Sequence, residues 1–350
     1  MKLPLFFLLI ITSVGLIAQD YQSAESALTN VVKEGKTAGV TVGILKDGEI
    51  KWTGNSGIRA EEMPMTSNTL LRIASIAKPM TATAVMQLVE SGKIDLDASI
   101  TAYLPAFPQW KDITTRQLLQ HTSGISAYAN RKEVNNTKHY DTLGDAVQIF
   151  SDRDLESVPG EEFSYTTYGY VVLGLLIERA SGMTYAEYVR QHIFEKAGME
   201  NTFVIGETMD EGRVSSLYSS NGKGKISSDD QTDLSDRIPG GGILSTANDV
   251  LLFANAIINN ELISEESFKA LITNSGAKKE GNPYGMGWYL YGVNPTLGNT
   301  IGHTGGQAGC SAQLFVFPEK EAALVVISNT SNAMKAVSGL AVSMFSLIEE

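Results

Sequence analysis

The segment that decides the fold begins at residue 75 and reads Ser75-Ile76-Ala77-Lys78-Pro79-Met80-Thr81-Ala82-Thr83-Ala84-Val85-Met86-Gln87-Leu88-Val89. From Met80 onwards it is apolar on almost every side, which is typical of a helix inside a protein core. Pro79 has no backbone N–H and is tolerated only near a helix start, whereas Ser91-Gly92 is a suitable helix end. The segment therefore predicts a buried helix that starts close to Ser75.

Ser75 and Lys78 are three residues apart at the start of this helix. Residues at i and i+3 are neighbours on one helix face, so the spacing aims the Lys78 amine at the Ser75 hydroxyl. A serine needs a nearby base to act as a nucleophile, and burial lowers the pKa of a lysine enough to make it one. The pair is therefore a candidate nucleophile and base.

The same Ser-x-x-Lys spacing occurs twice more, at Ser220…Lys223 and at Ser275…Lys278. The first pair lies in a run rich in Gly and Ser, and the second lies in a turn-like stretch. Both are interpreted as solvated loops. The spacing alone is weak evidence, and it is the buried helix that distinguishes Ser75.

The first residues form a basic start and an apolar run that ends at Ala18. This pattern is typical of a secretory signal peptide, residues 1–18, with cleavage after Ala18 and export to the periplasm or the medium. Leu16 is larger than the residue preferred at that position, so an uncleaved anchor is the alternative. No cysteine is near enough for a lipid anchor, and no later stretch is apolar and long enough to span a membrane.

The chain has 350 residues and a net charge of −12, from 27 basic and 39 acidic residues. This charge argues against nucleic acid or an anionic membrane as a partner. Cys310 is the only cysteine, so no internal disulfide is expected. It is interpreted as a small buried strand residue, although a free thiol near a catalytic segment is the alternative.

Strand patterns lie at both ends of the chain and helical patterns lie between them. A single antiparallel sheet built from both termini, covered by the terminal helices and carrying an inserted mostly helical lobe, is the economical α+β arrangement. We expect one domain, residues 19–350, with an active site between its two lobes. The predicted elements are a helix at 21–33, a hairpin of Val40–Leu45 and Glu49–Trp52, helices Thr115–Gln120 and Tyr170–Ser181, an irregular stretch Gly212–Asp236, a strand Tyr284–Tyr291, a hairpin of Ala312–Phe317 and Ala322–Ile327, and a helix Ala333–Leu347.

Two further segments carry polar groups suited to chemistry. Tyr165 and Thr167 precede the buried helix near Tyr170, and Gly302-His303-Thr304-Gly305-Gly306 places a histidine among glycines. The order Ser75-x-x-Lys78, Tyr165-x-Thr167, His303-Thr304-Gly305 resembles the serine β-lactamase and penicillin-binding-protein superfamily. It is closest to the branch with class C β-lactamases, D-alanyl-D-alanine carboxypeptidases and related esterases. Further phrases that look familial are Leu118-Leu119-Gln120-His121-Thr122-Ser123-Gly124 and Gly240-Gly241-Gly242-Ile243-Leu244-Ser245-Thr246.

The resemblance implies a role for each matched residue. Ser75 would be acylated and Lys78 would take or relay its proton. Tyr165 would be partner base and leaving-group acid, provided that Lys78 and His303 keep its phenol pKa low. The backbone N–H groups of Ser75 and Gly306 would form the oxyanion hole. Substrate binding would fall to Thr167, His303, Thr304, Gly305 and Gly306.

Two residues depart from the usual pattern of the branch. Thr167 stands where Asn is frequent, and His303 stands where β-lactamases have Lys. Neutral histidine holds a carboxylate less firmly than lysine does. Both changes put β-lactamase activity in doubt and are compatible with peptidase or esterase chemistry.

Other chemistries have little support in the sequence. The four histidines are scattered, so no metal site and no cofactor are expected, and His121 is interpreted as structural. No Gly-x-Ser-x-Gly occurs, which argues against a nucleophile-elbow hydrolase.

The sequence predicts an exported serine hydrolase that acts on an amide or ester, with a small molecule or a cell-wall D-peptide as substrate. The alternatives are a β-lactamase, a small-ester esterase, and a non-catalytic peptidoglycan or penicillin sensor. The sequence does not indicate an oligomeric state.

Overall fold

The computed structural model describes residues 21–277 and 282–349. The predicted signal peptide, residues 1–18, lies outside the described residues, as does Lys278 of the third Ser-x-x-Lys match. In the part of the chain that is described, no helix has the length and apolar character needed to cross a membrane.

The strands are numbered along the chain. They are β1 Gly39–Lys46, β2 Glu49–Ala60, β3 Met63–Pro64, β4 Leu71–Arg72, β5 Phe203–Val204, β6 Tyr218–Ser220, β7 Ile226–Ser228, β8 Ile243–Ser245, β9 Tyr289–Asn294, β10 Gly298–Gln307, β11 Cys310–Phe317, β12 Ala322–Ser328 and β13 Thr330–Ser331.

The helices are numbered in the same way. They are α1 at 21–33, α2 Ala77–Glu90, α3 Thr115–Leu119, α4 Arg131–Val134, α5 Leu143–Val147, α6 Thr167–Ser181, α7 Tyr185–Val189, α8 Glu195–Ala197, α9 Ile238–Gly241, α10 Ala247–Ile258, α11 Glu265–Leu271, α12 Met334–Ser343 and α13 Ser346–Glu349. Short 3-10 turns join several of them, and the one at Ala74–Ile76 leads directly into α2.

The main sheet has seven antiparallel strands in the order β3-β2-β1-β12-β11-β10-β9. Strands from the two ends of the chain meet where β1 pairs with β12, for example Val42 opposite Val326. This confirms the predicted α+β class with an antiparallel sheet built from both termini. Two smaller three-stranded sheets, β13-β6-β7 and β4-β8-β5, lie outside it.

Each face of the main sheet packs on its own hydrophobic cluster because alternate residues of a strand point to opposite faces. In β12, Leu324 and Val326 pack with the terminal helices α1, α12 and α13. Val325 and Ile327 belong to the larger cluster, which includes α2, α6 and α10. The sheet is therefore a middle layer, and the predicted catalytic helix lies on the side away from the chain termini.

Several predicted elements have different bounds in the structure. Strand β2 continues to Ala60, well beyond the predicted end at Trp52. Helix α6 begins at Thr167, not Tyr170, because the Thr166 side chain accepts the Tyr168 N–H and caps it. The predicted strand Tyr284–Tyr291 is a strand only from Tyr289. The stretch Gly212–Asp236 is not wholly irregular, since β6 and β7 lie within it, pair with each other, and join β13 through β6. The last predicted helix is two helices, α12 and α13.

Candidate active site

The turn Ala74–Ile76 carries the predicted nucleophile, Ser75, and is called the nucleophile turn below. It leaves Ser75 accessible within an otherwise buried segment. Between residues 71 and 80, Ser75 is the one residue that is not buried. Ala74 adopts a left-handed backbone with φ of 47°, a conformation that non-glycine residues rarely adopt and that is concentrated at functional sites. The turn therefore places a single accessible hydroxyl at the start of a core helix.

Lys78 lies one turn further along and is fully buried. Its Nζ lies 2.9 Å from Ser75 Oγ and donates to the Gly240 carbonyl at 2.9 Å and to Thr167 Oγ1 at 3.3 Å. Burial, and secondarily the positive charge of Arg237, hold the Lys78 pKa well below its usual value. A neutral amine has two protons for the Gly240 and Thr167 acceptors, and its lone pair then faces the Ser75 hydroxyl.

Tyr165 precedes helix α6 and faces the same amine, with its ring centroid 5.0 Å from Lys78 Nζ. Burial raises the pKa of the Tyr165 phenol well above its usual value, and a hydrogen bond with Ser75 offsets only part of this effect. The condition for Tyr165 to act as a base, a low phenol pKa, is therefore not met. A protonated phenol is suited to donating a proton, so of its two predicted roles the acid role fits this geometry.

His303 lies within strand β10 and is fully buried. Its Nδ1–H donates to the Thr304 carbonyl at 2.6 Å, so Nε2 accepts the Tyr284 hydroxyl proton at 2.9 Å. Burial lowers the His303 pKa to about 3, which keeps the ring neutral. Both ring nitrogens already have partners inside the protein. The His303 side chain therefore supports strand β10 from the buried side and does not present a nitrogen to a substrate carboxylate.

Strand β10 lies directly against the nucleophile turn. A Cβ added at Gly305 would lie 2.5 Å from the Ile73 carbonyl oxygen, so only glycine permits this approach. Gly306 is exposed and Thr304 is half-buried. Gly306 follows this close approach directly, and its backbone N–H stays the predicted second donor of the oxyanion hole.

Thr167 is the first residue of helix α6, and its hydroxyl lies between Lys78 and Tyr128. A Cβ added at Gly240 would lie 2.6 Å from the Thr167 methyl group, so glycine is required opposite the threonine. Nearby, Gln307 of β10 donates its side-chain N–H to the Gly241 carbonyl at 3.2 Å.

Cys310 is buried near the nucleophile turn. Its thiol donates to the Arg72 carbonyl at 2.9 Å, and burial raises the pKa of the thiol to about 12. It fits the interpretation as a small buried strand residue. Within residues 21–277 and 282–349, no group of three or more His, Cys, Asp or Glu side chains is placed to hold a metal ion.

The structure thus brings Ser75, Lys78, Tyr165 and Thr167 together and places β10 beside them. Sequence reasoning missed the contributions of Tyr284, Tyr128 and Arg237, and no pattern at those positions signals them. Gly240 was noted only as part of a familiar phrase. His121, interpreted as structural, lies with its ring centroid 4.3 Å from that of Tyr165.

Comparison with known proteins was made on sequence and on structure. The family described as Beta-lactamase matches residues 24–345. Penicillin-binding protein 4* of Bacillus subtilis (strain 168) is 30% identical over 287 residues, which cover 77% of this chain and 62% of that protein. The chain thus spans less than two thirds of the length of this relative. Human serine beta-lactamase-like protein LACTB, mitochondrial, is 27% identical over 87% of this chain and 73% of its own.

A solved structure extends the similarity to nearly the whole fold. D-amino acid amidase from Ochrobactrum anthropi SV3, complexed with L-phenylalanine, superposes with a TM-score of 0.84 at 26% identity. The superposition covers 95% of this chain and 98% of that one.

Proposed function

The chain belongs to the beta-lactamase family of serine hydrolases, and on that premise we propose that it forms an acyl-enzyme at Ser75 and hydrolyses an amide or ester bond. The observation that carries the proposal is the Ser75 hydroxyl, which is accessible and lies 2.9 Å from a fully buried amine. Burial lowers the pKa of that amine well below its usual value, which suits it to act as a base.

In the acylation step, Ser75 Oγ attacks the substrate carbonyl carbon while its proton passes to Lys78 Nζ. The backbone N–H groups of Ser75 and Gly306 stabilise the oxyanion, a contribution worth roughly 3–4 kcal/mol per donor. The bond to the leaving group then breaks, and the Tyr165 phenol gives its proton to the departing nitrogen or oxygen. The Lys78 ammonium returns a proton to the Tyr165 phenolate, which restores both groups.

In the deacylation step, water attacks the Ser75 ester and loses a proton to the neutral Lys78 amine. The tetrahedral intermediate collapses with departure of Ser75 Oγ, which recovers that proton from Lys78. The product acid leaves, and each protein group returns to its starting protonation state. Every proton transfer uses side chains of the chain itself, and water is the only further reactant.

The substrate we favour is an amide or a short peptide of a D-amino acid. A similarity in fold to a protein named D-amino acid amidase supports this choice. The neutral, buried His303 also favours a substrate that does not need a cation at this position to hold a carboxylate. A D-alanyl-D-alanine peptide, a β-lactam and a small ester are the alternatives to be compared with it.

Export is part of the proposal and rests on residues 1–18, whose basic start and apolar run are typical of a signal peptide. The protein would then act in the periplasm or outside the cell, on a cell-wall peptide or a small molecule. N-terminal sequencing of the protein from the periplasmic or medium fraction tests this, with cleavage after Ala18 as the expected result.

The experiment that tests the catalytic proposal is intact-mass analysis of the mature protein after treatment with a fluorophosphonate. We expect one adduct on the wild type and none on Ser75→Ala. Ser220→Ala, which removes the serine of a second Ser-x-x-Lys match, is the matched control and should keep the adduct. A folded wild type without an adduct would refute an activated serine at this site.

Turnover is measured next, on D-phenylalanine amide, D-alanyl-D-alanine, nitrocefin and a p-nitrophenyl ester. Hydrolysis of the amide with multiple turnovers supports the proposal as stated. A β-lactam adduct on Ser75 that forms once and persists, with no turnover of any substrate, would assign the chain to the sensor class instead.

A further inference from the structure

His121 is a buried histidine that sits next to the candidate active site and has no role in the chemistry described so far. It follows helix α3, is 1% exposed, and adopts a left-handed backbone with φ of 56°. Ala74, beside the nucleophile, has the same unusual backbone region. A non-glycine residue held in this region is a sign of a site where the surrounding structure imposes a constraint.

His121 contacts the backbone on both sides of Tyr165. The Ser164 N–H donates to the His121 carbonyl at 2.8 Å, and the Thr166 N–H donates to His121 Nδ1 at 3.2 Å. The imidazole also lies against the phenol itself, with ring centroids 4.3 Å apart. Three contacts from one residue therefore hold the segment that carries the proposed leaving-group acid.

The contact with Thr166 determines which ring nitrogen carries the proton. Nδ1 accepts a hydrogen bond, so in the neutral ring the proton is on Nε2. Burial holds the His121 pKa well below its usual value and so preserves this state. Protonation of Nδ1 would remove the acceptor that Thr166 uses.

The second ring nitrogen distinguishes His121 from an ordinary structural histidine. His303 uses both of its nitrogens, whereas His121 Nε2 is buried with no hydrogen-bond partner among the described residues. A buried donor without a partner destabilises the folded state. Three tyrosine rings surround the imidazole. The distances from its centroid to the ring centroids of Tyr165, Tyr170 and Tyr284 are 4.3, 5.1 and 4.8 Å. The unpaired Nε2 is therefore a cost that accompanies the bond from Thr166 to Nδ1.

We propose that His121 is a positioning residue that holds Tyr165 at the distance and angle needed to protonate the leaving group. The inference rests on the proposed function, in which Tyr165 is that acid. A displacement of about 1 Å at a reacting group can cost about 100-fold in rate, so a small shift of the Ser164–Thr166 backbone has a large effect. The effect depends on how much the leaving group needs a proton.

The test compares two substrates with one acyl group and different leaving groups. D-phenylalanine amide releases ammonia, which must be protonated to leave, whereas D-phenylalanine p-nitrophenyl ester releases a stable anion. If the wild type hydrolyses esters only, the methyl ester replaces the amide, because methoxide also needs a proton. A wild type that hydrolyses none of these overturns the proposed function, and the inference with it.

The main variant is His121→Phe, which keeps an aromatic ring against Tyr165 and removes the Nδ1 acceptor. We expect kcat on the amide to fall by about 10-fold or more and kcat on the nitrophenyl ester to change by less than about 3-fold. Tyr165→Phe should show the same selectivity for the leaving group. In the double variant, the loss on the amide should not exceed that of Tyr165→Phe, since both changes act through one proton.

A second variant keeps the test decisive if the phenylalanine is not tolerated at a left-handed backbone position. His121→Asn retains an acceptor for the Thr166 N–H, and asparagine accepts this backbone conformation more readily than most residues. It should lose less amide activity than His121→Phe. His192→Phe is the matched control. His192 stacks on Tyr188, with ring centroids 4.4 Å apart, and has no part in the site.

A purely structural role for His121 predicts a different result. The variants would then lower the melting temperature and reduce amide and ester turnover by one common factor, the fraction of folded protein. Equal losses on the two substrates would overturn the inference while leaving the acyl-enzyme at Ser75 intact. A loss on the amide in the double variant that multiplies the loss of Tyr165→Phe would overturn it as well.

Discussion

Replacing Lys78 by methionine tests whether the proposed base is neutral in the folded protein. Methionine has a similar length and no charge, so Lys78→Met removes the titration with little change in volume. It leaves the Gly240 carbonyl and the Ser75 hydroxyl without their amine partner, which costs about 1–3 kcal/mol at any pH. The informative quantity is therefore how the difference in unfolding free energy from the wild type changes with pH.

The direction in which stability changes with pH follows from the protonation of Lys78 in the folded and in the unfolded chain. The unfolded chain binds a proton on this lysine up to a pH of about 10.4, whereas burial keeps the amine of the folded protein unprotonated well below that. Unfolding of the wild type thus takes up a proton, and its stability rises with pH. The slope approaches about 1.4 kcal/mol per pH unit between the two pKa values. Lys78→Met takes up no proton at this position on unfolding, so it lacks this dependence of stability on pH.

Urea unfolding followed by tryptophan fluorescence, at half-unit steps from pH 7.5 to 9.5, measures the difference. The wild type should gain up to about 2.7 kcal/mol relative to Lys78→Met over these two units. Lys93→Met, which removes an exposed lysine just beyond the same helix, controls for the loss of a charge. A difference that stays constant with pH would mean that Lys78 is charged in the folded state, and the assignment of Lys78 as the resting base would be wrong.

Two further predictions concern strand β10. Gly305→Ala should destabilise the protein by about 1–3 kcal/mol and lower kcat, because the new Cβ would lie 2.5 Å from the Ile73 carbonyl oxygen. Gly306→Ala is the control for thermal unfolding. It should resemble the wild type, because its Cβ would have no atom within 4 Å. For His303→Gln, the quantity to measure is the difference in unfolding free energy from the wild type. Between pH 8 and pH 5 the wild type should lose about 2 kcal/mol relative to the variant. The unfolded wild type binds a proton at His303 below about pH 6.5, whereas the folded His303 pKa is about 3. A difference that does not change with pH would contradict the neutral, buried assignment.

The sheet could be predicted because its signals are local. The hairpin at the start of the chain and the one near its end have strand-length apolar runs separated by short turns, and nothing in the intervening chain competes with them. The helix after Ser75 is equally local, since its apolar character extends around the whole helix. Strand β9 was placed less well because Tyr284 is buried by contacts with His121 and His303, which no local pattern reveals.

The site could be predicted as a set of residues and not as a set of protonation states. Spacing was enough to pair Ser75 with Lys78, and context separated this pair from the one at Ser220…Lys223, whose lysine is exposed. The role of His121 depends on backbone contacts with residues 43 and 45 positions away. Such contacts are created by the packing of α3 against the segment before α6, which the sequence does not show.

The resting proton distribution follows from one cause that acts in opposite directions on two groups. Moving a proton from Tyr165 to Lys78 would create two charges in a buried site, and their attraction must exceed the cost of removing both from water. Burial lowers the pKa of Lys78 and raises that of Tyr165, so it favours the pair in which both are neutral. In the proposed mechanism, the site therefore holds Lys78 as an unprotonated base and Tyr165 as a protonated acid before substrate binds. An enzyme in this state can accept the Ser75 proton on Lys78 and deliver a proton from Tyr165 to the leaving group without any prior transfer between Lys78 and Tyr165. The position of Tyr165, and hence its contact with His121, therefore matters for substrates with poor leaving groups.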